Sequence, residues 1–173
     1  VSSTSSDSYH FSSSIEIGDK NTLFIGEYGS VNGKVHVYNY ASSSNTWTLS
    51  QTITNGSSGD RFGFSLSYYD SILHIGAPGF TNFQGKLYLY KYISSNNIDA
   101  KYQEIQQLEA SNGATGDDFS FSIIASKNGI ISTAYDSNTG DKGSAYFYKR
   151  NDTVNQTSSD IQPVFNKNCL KFA

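Results

Sequence analysis

The chain has 173 residues, with 12 Lys and Arg against 15 Asp and Glu, which gives a formal net charge of -3. This length fits one ordinary domain, and the charge excludes the broad basic surface that nucleic-acid binding requires. Aromatic residues make up 14% and charged residues 16%, and with abundant Ser, Asn and Gly this favours strands and turns over helices. No apolar run is long enough to predict a membrane span. We expect a flexible lead-in over residues 1–6 and a single domain over residues 7–173.

The first predicted repeat covers residues 7–55 and contains four short segments of strand character. They are residues 11–15 (FSSSI), 23–28 (LFIGEY), 33–38 (GKVHVY) and 47–53 (WTLSQTI). The last two alternate apolar and polar side chains with the period of two that a pleated backbone requires.

The second predicted repeat covers residues 56–112 and carries the same four segments in the same order. They are residues 62–66 (FGFSL), 73–78 (LHIGAP), 85–90 (GKLYLY) and 102–108 (YQEIQQL). Because the segments recur at a fixed spacing, they predict a repeated structural unit rather than four unrelated strands.

The third predicted repeat covers residues 113–165, and its fourth segment is poorly defined. Residues 119–123 (FSFSI), 131–135 (ISTAY) and 143–148 (GSAYFY) match the first three segments. The nearest candidate for the fourth is residues 159–165 (SDIQPVF), where Pro163 would confine the segment to an edge position.

Four strands in a repeat of roughly 50 residues are typical of a β-propeller blade. We therefore predict an all-β fold of three four-stranded antiparallel blades, forming an open sector or part of a larger propeller or assembly. The repeated Phe11, Phe62 and Phe119 are expected to pack between blades, with a ligand-stacking row as the alternative. A turn before the third strand predicts a positive φ at three glycines. These are Gly33, Gly85 and Gly143.

The second repeat resembles the FG-GAP repeat of integrin α-subunit β-propellers. The resemblance rests on residues 59–63 (GDRFG), then Gly76, Ala77 and Pro78, then residues 85–88 (GKLY), with Phe62 and Gly63 as the Phe-Gly pair. The motif sequences of this chain are also similar to those of free-standing FG-GAP arrays in microbial and protist surface proteins. It implies an extracellular or cell-surface location and a structural or adhesive role.

Integrin blades of this family carry calcium loops between the first two strands, and this chain departs from that pattern. The corresponding connections, residues 17–21, 68–71 and 126–129, do not supply the six or more oxygens that calcium prefers. The acidic stretch 136–141 fits a solvated turn better than a metal loop. We therefore expect no cofactor, with calcium as the open alternative even though loops of the family type are absent.

Three Asn-x-Ser/Thr sequences are acceptors for N-linked glycans in a secretory pathway. They begin at Asn55, Asn151 and Asn155. The single cysteine, Cys169, is either a buried apolar residue or a partner for an intermolecular disulfide. His10, His36 and His74 occupy different positions in their repeats, and no catalytic motif accompanies them, so we expect no enzymatic activity.

Three blades are too few to close a propeller. Either the sequence is a fragment of a longer array, or separate chains stack into a ring or filament, or the sheets collapse into a non-propeller arrangement. The predicted function is a non-catalytic extracellular structural glycoprotein that assembles through blade faces, such as a subunit of a surface filament or coat. Its expected partners are other copies or further repeats of the same polypeptide, and glycans or surface proteins, without nucleic acid.

The alternative is an integrin-like adhesion or carbohydrate-binding module. Exposed tyrosines would suit sugar stacking in such a module. The candidates are Tyr28, Tyr68, Tyr69 and Tyr135.

Overall fold

A computed structural model describes residues 10–19, 21–29, 31–95, 98–135, 143–150 and 165–172. The chain forms three four-stranded antiparallel sheets, each built from strands in sequential order. The prediction of an all-β fold with three four-stranded antiparallel blades of propeller type is confirmed. The three sheets remain separate blades, so the described residues do not form the collapsed arrangement.

The strands follow the repeats closely, because each alternates inward and outward side chains between turns rich in Gly, Asn and Ser. Blade 1 consists of β1 Phe11–Ile17, β2 Thr22–Glu27, β3 Lys34–Ala41 and β4 Thr46–Ile53. Blade 2 consists of β5 Ser65–Tyr69, β6 Ile72–Ala77, β7 Lys86–Ser95 and β8 Ile98–Leu108, with a helical turn α1 at Phe80–Phe83. Blade 3 consists of β9 Ile123–Ser126, β10 Gly129–Ala134, β11 Ser144–Arg150 and β12 Phe165–Phe172.

The fourth strand of blade 3 lies further along the chain than the sequence indicated. The predicted segment ended at residue 165, whereas β12 begins there and continues to Phe172. Phe165 pairs with Arg150, just as Trp47 pairs with Tyr40 and Tyr102 with Tyr92. An aromatic residue at this register position therefore marks the fourth strand in all three blades, and the boundary of the third repeat moves beyond residue 165.

The blades stack face to face, with β1 against β5 and β5 against β9. Each boundary encloses its own apolar core. Phe62 lies in the core between blades 1 and 2, and Phe119 lies in the core between blades 2 and 3. Both rings are fully buried, whereas Phe11, on the outward side of blade 1, is half-buried. Blade-on-blade packing therefore accounts for the repeated phenylalanine at two of its three positions.

Candidate functional site

The boundaries between blades are built from a small set of contacts that occur twice, once at each boundary. The first is a close backbone approach at a glycine of the second strand. A Cβ atom on Gly26 would lie 2.1 Å from the carbonyl oxygen of Gly63, and one on Gly76 would lie 2.5 Å from that of Ser120. Only glycine lets the next blade approach this closely.

A serine of the first strand donates a hydrogen bond to the same carbonyl. The Ser14 hydroxyl donates to the Gly63 carbonyl at 2.7 Å, and the Ser65 hydroxyl donates to the Ser120 carbonyl at 2.7 Å. The bond satisfies a main-chain acceptor that the next blade covers.

A glutamine of the fourth strand clamps the main chain of the next fourth strand with both ends of its amide. The Gln51 Nε2 donates to the Tyr102 carbonyl at 2.9 Å, and its Oε1 accepts from the Tyr102 N–H at 2.8 Å. Gln106 makes the same pair of bonds with Phe165, at 2.8 Å and 3.0 Å. Neither glutamine belongs to the FG-GAP motif. A polar residue in an alternating strand is also typical of a solvent-exposed face, so the sequence did not predict the clamp.

A further side chain of the first strand accepts from a main-chain N–H of the next blade. Glu16 Oε1 accepts from the Tyr68 N–H at 3.0 Å, and Ser67 Oγ accepts from the Ala125 N–H at 3.0 Å. Different residue types fill this position, so only the structure identifies it.

The three glycines before the third strand have φ values in the left-handed region. Gly33 has a φ of 65°, Gly85 of 81° and Gly143 of 70°. The first two also face the next blade, since added Cβ atoms would meet the main chains of Phe62 and Phe119 at 2.3 Å and 2.1 Å. Gly143 lies on the outward side of blade 3, where the nearest such atom, an Ala134 oxygen, is 3.0 Å away.

The remaining FG-GAP-like residues are Gly63, Ala77 and Pro78. Gly63 has a φ of 88° and its main chain lies against blade 1. Ala77 and Pro78 are buried. Ser120, which replaces the glycine of the Phe-Gly pair, is fully buried; its hydroxyl accepts from the Ala77 N–H at 3.0 Å and donates to the Lys86 carbonyl at 2.7 Å. The apparent degeneracy of the third repeat therefore supplies a buried hydrogen-bonding group.

The outward face of blade 3 lacks most of these contacts. Thr133 occupies the position of Gly26 and Gly76, because it pairs with the third strand at the equivalent residue. Ile124 replaces Glu16 and Ser67, and Leu170 stands at the register position of the glutamine clamp. Ile124 is 62% exposed and Ile131 is 43% exposed. This face is therefore apolar, and it cannot receive a blade in the register used inside the chain.

The outward face of blade 1 is also apolar. Ile15 and Ile17 of β1 and Leu49 and Trp47 of β4 are exposed there, with Ile17 at 75% and Leu49 at 53%. The equivalents of Trp47 in the other blades, Tyr102 and Phe165, are buried against a preceding blade. Blade 1 thus presents the kind of face that is covered at both internal boundaries.

A row of aromatic rings runs across all three blades. Neighbouring ring centroids lie between 4.5 and 5.5 Å apart. The row consists of His10, Tyr28, Phe64, Phe121 and Tyr135. Two of the four candidate sugar-stacking tyrosines therefore belong to it. Of the others, Tyr68 lies at the first boundary, hydrogen-bonded to Asp19, and Tyr69 is exposed at the end of β5.

The histidines do not converge. His10 stacks on Tyr28, and His36 forms a 2.7 Å contact with the buried carboxylate of Glu27. His74 is buried, and its Nδ1 lies 3.0 Å from the Ser67 carbonyl. Burial, aided by the charge of Arg150, lowers the pKa of His74 to about 4, so this ring is neutral at neutral pH.

Of the three glycan acceptors, only Asn55 lies within the described residues. It is half-buried, and its Nδ2 donates to the Tyr90 hydroxyl at 3.0 Å and to the Glu104 carboxylate. Asn151, Asn155 and the acidic stretch 136–141 lie outside the described residues. The backbone of Cys169 is part of β12 and pairs with Tyr148.

Within the described ranges, no group of three or more His, Cys, Asp or Glu side chains could hold a metal ion. In the same part of the chain, no helix has the length and apolar character needed to cross a membrane.

No protein-family model and no curated protein matches the sequence. Among solved structures, a europium-containing methanol dehydrogenase matches with a TM-score of 0.49 and 10% identity, over 77% of this chain. The matched region is 21% of that enzyme, so this chain spans about a fifth of its length.

Proposed function

We propose that this chain is a non-catalytic structural module of FG-GAP type that acts outside the cell and assembles through the outward faces of blades 1 and 3. The observation that carries the proposal is the pair of exposed apolar faces at the two ends of the blade stack. Contiguous apolar surface of this kind marks interaction sites in soluble proteins. N-linked glycans on Asn151 and Asn155 belong to the same proposal.

The apolar residues of blade 1 support a contact that buries β1 together with β4. Ile15, Ile17 and Leu49 are all more than half exposed, and complete burial of one such side chain contributes about 1.5–3 kcal/mol. Several side chains buried together offset the entropy cost of association that a single one could not.

The contact between copies differs from the boundaries inside the chain. Thr133 places a Cβ where the internal boundaries allow only a backbone approach, and Ile124 offers no polar partner for a main chain. The outward face of blade 3 therefore packs on blade 1 of another copy through apolar side chains in a shifted register. Such a head-to-tail contact gives a ring if the rotation closes and a filament if it does not.

The wording of the second repeat supports the FG-GAP assignment, because its motif residues lie at blade boundaries. A non-catalytic role is supported by the separation of the three described histidines, each of which has different neighbours.

Sedimentation velocity and electron microscopy of the purified protein test this proposal. We expect concentration-dependent oligomers that appear as rings or filaments, and we expect Leu49→Asp to convert them to monomers. Val31→Asp is the matched control, since Val31 is 66% exposed but lies in the turn before β3 rather than on the apolar face. A wild-type protein that stays monomeric at high concentration contradicts the proposal.

The aromatic row favours a second candidate, an adhesion or carbohydrate-binding module. Tyr135, at one end of the row, is 61% exposed and stacks on Phe121, and an exposed ring of this kind suits the apolar face of a sugar. A glycan-array experiment with wild type and Tyr135→Ala tests it. Loss of glycan binding with unchanged sedimentation supports the candidate, and absence of any glycan binding by the wild type contradicts it.

A further inference from the structure

A cleft opens between blades 1 and 2 at the end where the β1–β2 and β5–β6 turns lie. Its volume is about 360 Å³. Polar and aromatic side chains from both blades line it. They include Asp19, Asn39, Gln51, Tyr68, Tyr92 and Tyr102.

Two tyrosine hydroxyls and one carboxylate are linked across this cleft. Tyr68 donates to Asp19 Oδ2 at 3.0 Å, and Tyr102 donates in turn to the Tyr68 oxygen. Burial is the main reason that the pKa values of both tyrosines are raised, with the nearby Asp19 charge adding to the effect. Both hydroxyls therefore stay protonated, and Asp19 is the one acidic side chain among the described residues that line the cleft.

The equivalent place at the second boundary is filled by an arginine. Asp70 occupies the position of Asp19 in its turn, and Arg150 occupies the strand position of Tyr92, as shown by their pairing with Phe165 and Tyr102. Arg150 reaches across the boundary and forms an ion pair with Asp70. At the first boundary the residue is Tyr92, which is 46% exposed and carries no charge to pair with Asp19.

We propose that this cleft binds a guanidinium group, such as the side chain of an arginine that a partner protein presents. The group would pair with Asp19 as Arg150 pairs with Asp70, and the neighbouring Tyr92 ring would stack on its planar face. Stacking of a guanidinium on an aromatic ring occurs elsewhere in the chain, where Arg61 lies 4.8 Å from the centroid of Phe83. A planar cation matches a carboxylate beside an aromatic ring better than a neutral sugar does.

Titration of the protein with N-acetyl-L-arginine amide, followed by two-dimensional NMR, tests this inference. We expect shifts at the cleft residues, and we expect the neutral isostere N-acetyl-L-citrulline amide to bind at least tenfold more weakly. Asp19→Asn should weaken arginine-amide binding about tenfold. Asp70→Asn, at the equivalent position of the other boundary, should leave it unchanged.

Tyr92→Arg provides a second variant that does not remove the carboxylate. It places a guanidinium at the position of Arg150, so we expect it to fill the cleft and to abolish binding of the arginine amide. Equal binding of the citrulline and arginine compounds, or full binding by Asp19→Asn, overturns the inference. The inference does not depend on assembly, because the cleft lies between blades of one chain and the monomeric Leu49→Asp protein should bind equally well.

Discussion

Gln106 of blade 2 and Phe165 of blade 3 are joined by two hydrogen bonds between a side-chain amide and a main chain. The same arrangement joins Gln51 to Tyr102 one boundary earlier. Tyr102 and Phe165 stand at the same register position of their fourth strands. There the main-chain N–H and C=O bond to the glutamine of the neighbouring blade. The clamp therefore fixes the position of one blade along the strand direction of the next.

Gln106→Leu should destabilise the protein substantially. The substitution keeps the approximate volume but leaves the buried N–H and C=O of Phe165 without partners, and each unsatisfied buried group costs about 1–3 kcal/mol. We expect a decrease of this order in the free energy of unfolding, measured by urea denaturation.

Gln107→Leu is the matched control, because Gln107 is the next residue in the strand and is exposed. If the two variants unfold at the same urea concentration, the clamp does not contribute to stability.

A methyl group at Gly76 should be harmful for a different reason. A Cβ there would lie 2.1 Å from Ser65 Oγ and 2.5 Å from the Ser120 carbonyl oxygen, so blades 2 and 3 would have to separate. Overpacking of this kind costs about 1–3 kcal/mol. We expect Gly76→Ala to lower the melting temperature by several degrees. Gly113→Ala, where the nearest atom would be 3.4 Å away, should leave the melting temperature nearly unchanged, and equal effects of the two would contradict the close approach.

The blades could be predicted from the sequence because their strands repeat in period and spacing. The boundary contacts could be predicted only where a glycine or a phenylalanine carries them. The boundary role of Gln51 and Gln106 could not be predicted, since a polar side chain on one face of a strand is equally typical of a solvent-exposed sheet. The bounds of β12 were predicted wrongly because the connection before it is longer than in the other blades, so the predicted segment ended at Phe165, where the strand begins.

The cleft could not have been predicted from the repeats alone. The proposed guanidinium site depends on one difference between equivalent positions, Tyr92 in blade 2 against Arg150 in blade 3. Recognising that Tyr92 and Arg150 are equivalent requires the strand registers. Asp19 and Asp70 come to lie near them only when the blades are stacked.

Asn55 should remain without a glycan in the folded protein. One hydrogen of its amide nitrogen is donated to Tyr90 and the other to Glu104, and a sugar would replace one of these hydrogens and add bulk at a half-buried position. We expect peptide mass spectrometry of protein secreted from eukaryotic cells to find Asn55 unmodified. An occupied Asn55 in the folded, secreted protein would contradict this prediction.

His74 should make stability depend on pH through the core between blades 2 and 3. The ring is buried against Phe165, and among the described residues its Nε2 has no hydrogen-bond partner. Burial lowers its pKa from 6.5 to about 4 in the folded protein. Between these two pH values the unfolded chain binds a proton at His74 that the folded chain does not bind. Above pH 6.5 the ring is neutral in both states, so it does not change the free energy of unfolding. The free energy of unfolding falls as the pH decreases from 6.5 towards 4.

The loss should level off below pH 4, where both states are protonated, at about 3 kcal/mol, since one pH unit corresponds to about 1.4 kcal/mol. About 2 kcal/mol of it should be reached by pH 5. Urea unfolding of wild type and His74→Leu at pH 8 and pH 5 measures this effect, because the carboxylates contribute equally to both proteins and cancel in the comparison. His74→Leu should lose less stability than wild type over this range. If the two proteins lose the same amount, His74 is not buried in its neutral form.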